Sequence, residues 1–550
     1  MRWRLACACF AGIACFAGMA CVGSVARGAE PEPLDEQAQR GGSPARNNVR
    51  NGQCLPESWD VGQFDEKTGE WLLGTGRNIR WVARLGTQTH GTPVVAEGKV
   101  FIGTNNGGGR LPRYPATVDL GCLLAFRAAD GEFLWQHSSE KLPTGRVHDW
   151  PLQGVCSTPL VKGNRLWFVS NRCEVLCLDT EGFYQDLFSR PARERLEEAN
   201  VVWRLDMRER FGVSPHNMSN CSITSAGRAL FVCTSNGVDE GHMNIPAPNA
   251  PSFLALDKMT GEVLWSDASP GLNILHGQWC SPCYGVFDGQ GQVVFGGGDG
   301  WLYSFDPAGD GQGGSKLLWK FDCNPKDAKY SVSGRSTRNH LIATPMIHGG
   351  FVYAAVGEDP EHGEGNGRLC CIDARRRGDV SNELAIDRKN GDRPLPSRRL
   401  QAVNPQAGEA AVANPNSALI WEYVARDANR DGKIDFEEQM HRTLSSAVLG
   451  EGLLMIPDFS GLVHCLDAAT GEVCWTHDLM SETWSSPLAA DGRVYMADAD
   501  GKITIFKLSK AKTILAEIEM GRMIYSTPAA AGGVLYVPTT THLFAIASDE

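Results

Sequence analysis

Short runs of alternating apolar and polar residues, parted by glycine- and aspartate-bearing turns, recur from about residue 77 to residue 547. That alternation has a period of two, the pattern of strands with one face toward a core. One unit runs Thr92-Pro93-Val94-Val95, a Gly turn, Lys99-Val100-Phe101-Ile102-Gly103, then Leu124-Ala125-Phe126, Asp130-Gly131 and Glu132-Phe133-Leu134-Trp135. The same order restarts at Thr158-Pro159, Ser222-Ile223, Ser281-Pro282, Thr344-Pro345, Ser446-Ala447, Ser486-Pro487 and Thr527-Pro528. Units close on Trp135, Trp203, Trp265, Trp319, Trp421 and Trp475, and the last three begin about 40 residues apart, which sets the minimal period.

Each unit holds four such runs, which predicts four antiparallel strands. The turn Gly supplies the positive backbone angle between third and fourth strands, and the Trp fills the wedge against the next unit. Eight units open, but the last stops at Ala545-Ile546-Ala547 without a fourth strand. Asn78-Ile79-Arg80-Trp81-Val82 carries the same tryptophan position and supplies it from the other end of the chain. The expected fold is all-β: an eight-bladed β-propeller of four-stranded antiparallel blades, its ring closed by an N-terminal strand.

Leu256-Asp257 with Thr260-Gly261 and Trp265, and Leu466-Asp467 with Thr470-Gly471 and Trp475, are the clearest copies of a Leu-Asp-x-x-Thr-Gly-x-x-x-Trp signature. With Thr/Ser-Pro opening the units, this resembles the pyrroloquinoline-quinone (PQQ) repeat propellers. That family includes quinoprotein alcohol dehydrogenases and non-enzymatic scaffolds such as the outer-membrane assembly propeller. The resemblance implies the fold strongly and an activity weakly.

The net charge of −12 argues against a nucleic-acid partner, since a phosphate-binding surface needs clustered Lys and Arg. Arg2 and Arg4 precede an uncharged run from Leu5 to Val25, and small residues at Ser24-Val25-Ala26 and Ala29 offer cleavage sites. Residues 1–29 therefore read as a signal peptide, giving a periplasmic or secreted protein with no transmembrane domain once it is removed. A retained membrane anchor is the rival reading. Lipid anchoring at Cys21 is disfavoured by Gly18. Residues 30–76 read as a polar N-terminal arm, a tether or loose drape, and 77–550 as the propeller. Of 18 cysteines, four leave with the signal, and the pairing of the other fourteen cannot be deduced from spacing.

First-to-second-strand turns are short, while long polar segments fall at 105–121, 136–156, 205–220, 236–250, 322–342 and 358–367 and are expected on the opposite face. They carry Arg110, Arg113, Tyr114, His148, Asp149, Trp150, His216, Asn217, Asp239, Glu240 and His242. Further along are Lys326, Lys329, Tyr330, Arg335, Arg338, Asn339, His340, Glu358, Asp359, Glu361, His362 and Glu364. A face that gathers loops is the default binding site of such a fold. The insertion at 374–418 lacks hydrophobic periodicity and reads as a mobile surface loop.

The sharpest local motif is residues 427–438, which resembles an EF-hand calcium loop. Asp427, Asn429 and Asp431 offer side-chain oxygens, Gly432 the sharp turn, Lys433 a backbone carbonyl, and Asp435 and Glu438 the remaining ligands. Leu419 to Val424 reads as a fourth strand, leaving no entering helix, so the expected calcium is structural. Cys280-Ser281-Pro282-Cys283 matches a thioredoxin spacing, but Pro282 occupies a unit opening with no βαβ pattern around it, so a redox pair is not expected. The adjacent Cys370-Cys371 lies in a strand, where side chains alternate, so a vicinal disulfide is not expected. The quinoprotein dehydrogenases of the family carry such a pair in a loop, and this departure counts against PQQ.

The favoured function is therefore a binding or scaffold protein taking a protein or small-molecule ligand on the loop-rich face. The alternative is a PQQ- and calcium-dependent quinoprotein dehydrogenase, with catalytic and cofactor-binding residues unknown. It requires a carboxylate, an amide and an aspartate base converging in the central funnel above a tryptophan. A polysaccharide-binding or sugar-hydrolysing propeller is a third class.

Overall fold

A computed structural model describes residues 36–182, 198–328, 339–358, 365–396 and 398–548. The expected signal peptide lies outside them. Among the described residues, eight sheets each contain four antiparallel strands in sequential order. Their inner strands are Val94–Ala96, Leu160–Lys162, Thr224–Ala226, Cys283–Phe287, Met346–His348, Val448–Gly450, Leu488–Ala490 and Ala529–Ala531, numbered here as the first to the eighth sheet. The eighth takes its outer strand from Ile79–Arg84, which pairs with His542–Ile546 from Ile79 opposite Ile546 to Arg84 opposite His542.

The Thr/Ser opening each repeat has a hydrogen-bonding reason. The backbone N–H of Thr92 donates to the Thr158 hydroxyl (3.0 Å), Thr158 to Ser222 (3.1 Å) and Ser222 to Ser281 (2.9 Å). Ser446 donates likewise to Ser486 (2.9 Å), and Ser486 to Thr527 (3.0 Å). A hydroxyl is required because it satisfies a buried backbone donor of the preceding sheet.

At the outer edge the tryptophans make the equivalent link. Trp81 Nε1 donates to the Ala128 carbonyl, Trp135 to Thr180, Trp203 to Lys258, Trp265 to Pro307, Trp421 to Ala468 and Trp475 to Ser509, all at 3.0–3.2 Å. Each acceptor lies in the third-to-fourth-strand turn of the next sheet. Trp319 reaches its neighbour through Gln292, whose amide donates on to the Ala374 carbonyl (2.8 Å). A one-residue bulge recurs beside the tryptophan, as where Leu134 is skipped between Phe133 and Trp135, and re-aims the ring. The turn Gly is needed twice over: at Gly261, φ is +76° and a Cβ would stand 2.7 Å from the Trp203 ring. The outer strand of the seventh sheet, Ile514–Glu519, has no tryptophan. There Trp59, from the N-terminal segment, is buried in the cluster shared by the seventh and eighth sheets.

Residues 36–76, the described part of the predicted arm, are not a loose drape, and this corrects the sequence reading. Residues 37–48 touch all eight inner strands, the first seven in chain order and the eighth through the Gln37 side chain. Gln37 pairs with Val95; Ala38 accepts from Val161, and the Gln39 amide oxygen from the Thr224 hydroxyl. Pro44 accepts from Tyr284 and Ala45 from Ile347. The Asn47 amide oxygen accepts from Leu449, Asn48 from Ala489, and the Gln37 side chain from Ala530. Inner edges that would otherwise present unpaired N–H groups are thereby capped. Arg46, 2% exposed, donates to the carbonyls of Pro282 (2.9 Å), Arg40 (3.0 Å) and Ser222 (2.7 Å).

The insertion at 374–418 is likewise not a structureless loop. Glu383–Asp387, Arg393–Pro394 and Glu409–Ala413 form a three-stranded antiparallel sheet, and Gly378–Asp379 adds a parallel fifth strand to the fourth sheet. Buried Arg399 anchors it by donating to the Asp299 carbonyl (2.9 Å) and to that of Asn273.

Candidate functional site

The segments preceding the eight inner strands converge on one cavity of about 350 Å³. Every sheet contributes: His90, Trp150 with Gln153, Asn217 with Asn220, Trp279, Ile342, Leu444, Trp484 and Tyr525. The His90 ring stacks on Tyr525 (centroids 5.3 Å, planes 8° apart), and Tyr525 tilts against Trp484 at 5.4 Å. Burial lowers the His90 pKa to about 4, so the ring is neutral at pH 7.

The one charged residue in this lining is Arg40, from the N-terminal segment. Burial lowers its pKa, and none of its guanidinium nitrogens has a hydrogen bond or ion pair to the described residues. Aromatic faces, two asparagine amides and a cation without a carboxylate partner suit an anionic group on an apolar body.

Beside the cavity, three histidine rings meet. His242 Nε2 is 3.1 Å from His216 Nε2 and 2.9 Å from His276 Nε2. His216 and His276 come from the segments before the third and fourth inner strands, His242 from the loop between the second and third strands of the third sheet. Trp279 joins cluster to cavity: its Nε1 donates to the His216 carbonyl (3.2 Å), and its ring lies 5.1 Å from His276.

Of the loop residues singled out in the sequence, Trp150 and Asn217 line the cavity, and His216 and His242 join the cluster. The His340 ring is 5.6 Å from His276. Others have structural partners. Asp149 pairs with Lys141 and accepts from Asn171 (2.8 Å), Arg110 lies over Phe126 and Phe133, and His148 meets Ser214 (3.2 Å). Arg113, whose guanidinium lies over the Tyr114 ring, pairs with Glu198, Glu240 with Arg146 (3.5 Å) and Lys326 with Glu383 (3.3 Å); Asp239 caps its own turn at Met243 (2.8 Å). Asn339 and Glu358 are buried. Lys329, Tyr330, Arg335, Arg338, Asp359, Glu361, His362 and Glu364 lie outside the described residues. Arg40, His90 and His276 escaped sequence reasoning. Only the Thr/Ser-Pro spacing could have flagged His90 and His276, which sit two and five residues ahead of an opening hydroxyl.

The 427–438 loop folds with its oxygens inward. Asp427 accepts from the N–H groups of Asp431 (3.1 Å) and Gly432 (2.9 Å), Asn429 from Asp431 (2.8 Å) and Asp431 from Lys433 (2.8 Å). Glu438 accepts from Ala428 (2.9 Å), Asn429 (3.1 Å) and Asp435 (3.1 Å). Gly432 has φ +84°, and the loop is clasped by Arg426 donating to the Glu438 carbonyl and Met440 to that of Val424 (both 2.7 Å), not by helices. Phe436 stacks on His441 at 4.0 Å, whose Nδ1 meets buried Asp458 at 2.9 Å.

Both Cys280 and Cys283 are free and buried, and burial pushes the Cys280 thiol up to about 12, so neither has a thiolate to offer. Cys370 and Cys371 are also free, buried in different core clusters on opposite faces of their strand.

This architecture defines a β-propeller. Residues 406–547 match the family model described as outer membrane protein assembly factor BamB. The fold is shared with quinohemoprotein alcohol dehydrogenase from Pseudomonas putida HK5, at 10% identity and a TM-score of 0.52, over 93% of this chain and 80% of that one. BamB from Moraxella catarrhalis aligns at 12% identity and a TM-score of 0.46, over 85% and 97%. A europium-containing methanol dehydrogenase aligns at 12% identity and 0.47, over 93% and 98%. No curated protein matches in sequence. The likeness in sequence to that repeat model is confined to residues 406–547, and the likeness to the solved structures is one of β-propeller fold.

Proposed function

We propose that this chain is an exported, eight-bladed propeller, closed by its N-terminal strand, that works as a binding or scaffold protein. Its loop-rich face takes a protein or small-molecule ligand, whose acidic group enters the aromatic cavity to meet Arg40. The observation that carries this reading is the charge of the lining: one arginine and, among the described residues, no carboxylate. A calcium–quinone pair needs carboxylate oxygens on the metal. Asn217, Asn220 and Trp279 supply amides and an aromatic face, but the donor set does not fit that pair. The loop at 427–438 holds one structural calcium through Asp427, Asn429, Asp431, Lys433, Asp435 and Glu438, supported by the inward turn of its oxygens.

The test is a titration of signal-free protein with PQQ and calcium, following cofactor absorbance and dye reduction with alcohols and sugars. The expected result is no turnover, with calcium alone raising the melting temperature. Saturable quinone binding with turnover would replace the scaffold reading by the dehydrogenase one. In a parallel pull-down from envelope extract, Arg40→Met should lose partners that the parent retains.

A further inference from the structure

We propose that His216, His242 and His276 bind one transition-metal ion of the imidazole-seeking class, Zn²⁺ or Cu²⁺, through their three Nε2 atoms. These three donor atoms all lie within 4.8 Å of one another, the one such group of histidine, cysteine and carboxylate donors among the described residues. Hydrogen bonding among the rings does not account for the arrangement. A ring nitrogen has a single in-plane position, holding either a hydrogen or a lone pair. His242 Nε2, with neighbours at 3.1 and 2.9 Å, can therefore make one good hydrogen bond and leaves the other close contact uncompensated.

The tautomer of His216 sharpens the point. Its Nδ1 lies 2.9 Å from the Val238 carbonyl, which can only accept, so Nδ1 carries the hydrogen and Nε2 is a bare donor turned into the cluster. An outer hydrogen bond of this kind orients a metal-bound imidazole. A tetrahedral ion with bonds of 2.0–2.1 Å separates its ligand nitrogens by about 3.3 Å, close to the spacings seen. Three lone pairs donated to one ion remove the conflict at His242.

The loop geometry fits a ligand held in place. His242 sits at φ +54°, a strained conformation for a non-glycine residue. It is held there by its N–H to the Asp239 carbonyl (3.0 Å), while Asp239 also gathers Met243 and Asn244. His216 and His276 are buried and His242 is half-buried. The ion would clip the third sheet to the fourth beside Trp279, at the rim of the cavity. Oxygen-seeking calcium is the wrong ion here, and the carboxylate loop at 427–438 is the wrong place for this one.

The experiment loads metal-stripped, full-length mature protein with Co²⁺ as a spectroscopic stand-in, then competes with Zn²⁺. One equivalent of Co²⁺ with visible ligand-field absorption, displaced by Zn²⁺, is expected. His242→Gln, in a half-buried loop, and His276→Gln should each weaken Zn²⁺ binding about 100-fold or more, since losing even an outer partner costs 10–100-fold. Asp427→Asn with Glu438→Gln should leave it unchanged. Far-ultraviolet circular dichroism and melting temperature check that each variant folds. No Co²⁺ uptake at micromolar concentration by folded parent protein would overturn the proposal. So would uptake undiminished in both histidine variants.

Discussion

At the scale of the residue, what could be read from the sequence is what repeats. Threonine or serine, glycine and tryptophan recur because each meets the same need in successive sheets: a hydroxyl for a buried N–H, a positive φ under a ring, and a ring across a seam. Gly261→Ala should cost about 2–4 kcal/mol, combining left-handed strain with overpacking against Trp203. A urea or thermal melt of the variant checks it, and a shift indistinguishable from zero would mean the ring is free to yield. Arg46 has no repeat to announce it. Arg46→Met strands two buried carbonyls and a part-buried one and should cost about 3 kcal/mol or more by the same melt. The histidine trio was illegible for a related reason: His216, His242 and His276 come from three different loops, and nothing in their spacing brings them together.

At the scale of the element, the N-terminal segment is where sequence and structure part company. Its polar composition reads as solvated tether. Polar it is, yet Gln37, Gln39, Arg46 and Asn48 are buried, because backbone and hydroxyl groups on or beside the inner strands and within the segment itself satisfy them. A chain starting after residue 60 should melt well below the parent and be cut by protease at its inner edges. A synthetic peptide of residues 36–60 should restore resistance; failure to do so would reduce the segment to a passive cover. The insertion at 374–418 was misread because its strands are short, at two to five residues, and set among Arg-, Pro-, Asn- and Gly-rich segments. The 427–438 motif stands out in the sequence because its proposed ligands lie within twelve consecutive residues. Calcium at about a hundredfold its dissociation constant should stabilise the parent by about 2.7 kcal/mol, and Asp427→Asn with Glu438→Gln should abolish that gain.

At the scale of the whole molecule, acid should act through the interior. Burial lowers His90 and His137 to about 4, well below the ordinary histidine value. The unfolded chain then binds more protons than the native one between pH 6.5 and 4. Stability is complete above that window and is lost as pH falls through it. Melting temperature measured across the window should decline, and His137→Leu should flatten the decline. An acid limb unchanged in that variant would assign the loss to other groups. The lap of residues 37–48 around the inner strands bears on a different property, the order of assembly. Gln37 meets Ala530 across 493 positions of chain, and Ile79 meets Ile546. Residues 37–48 leave the ribosome well before Ala530 and are thus among the last to find their places. With so high a contact order, no truncated nascent chain can complete the native pairing, and folding waits on delivery of the whole polypeptide.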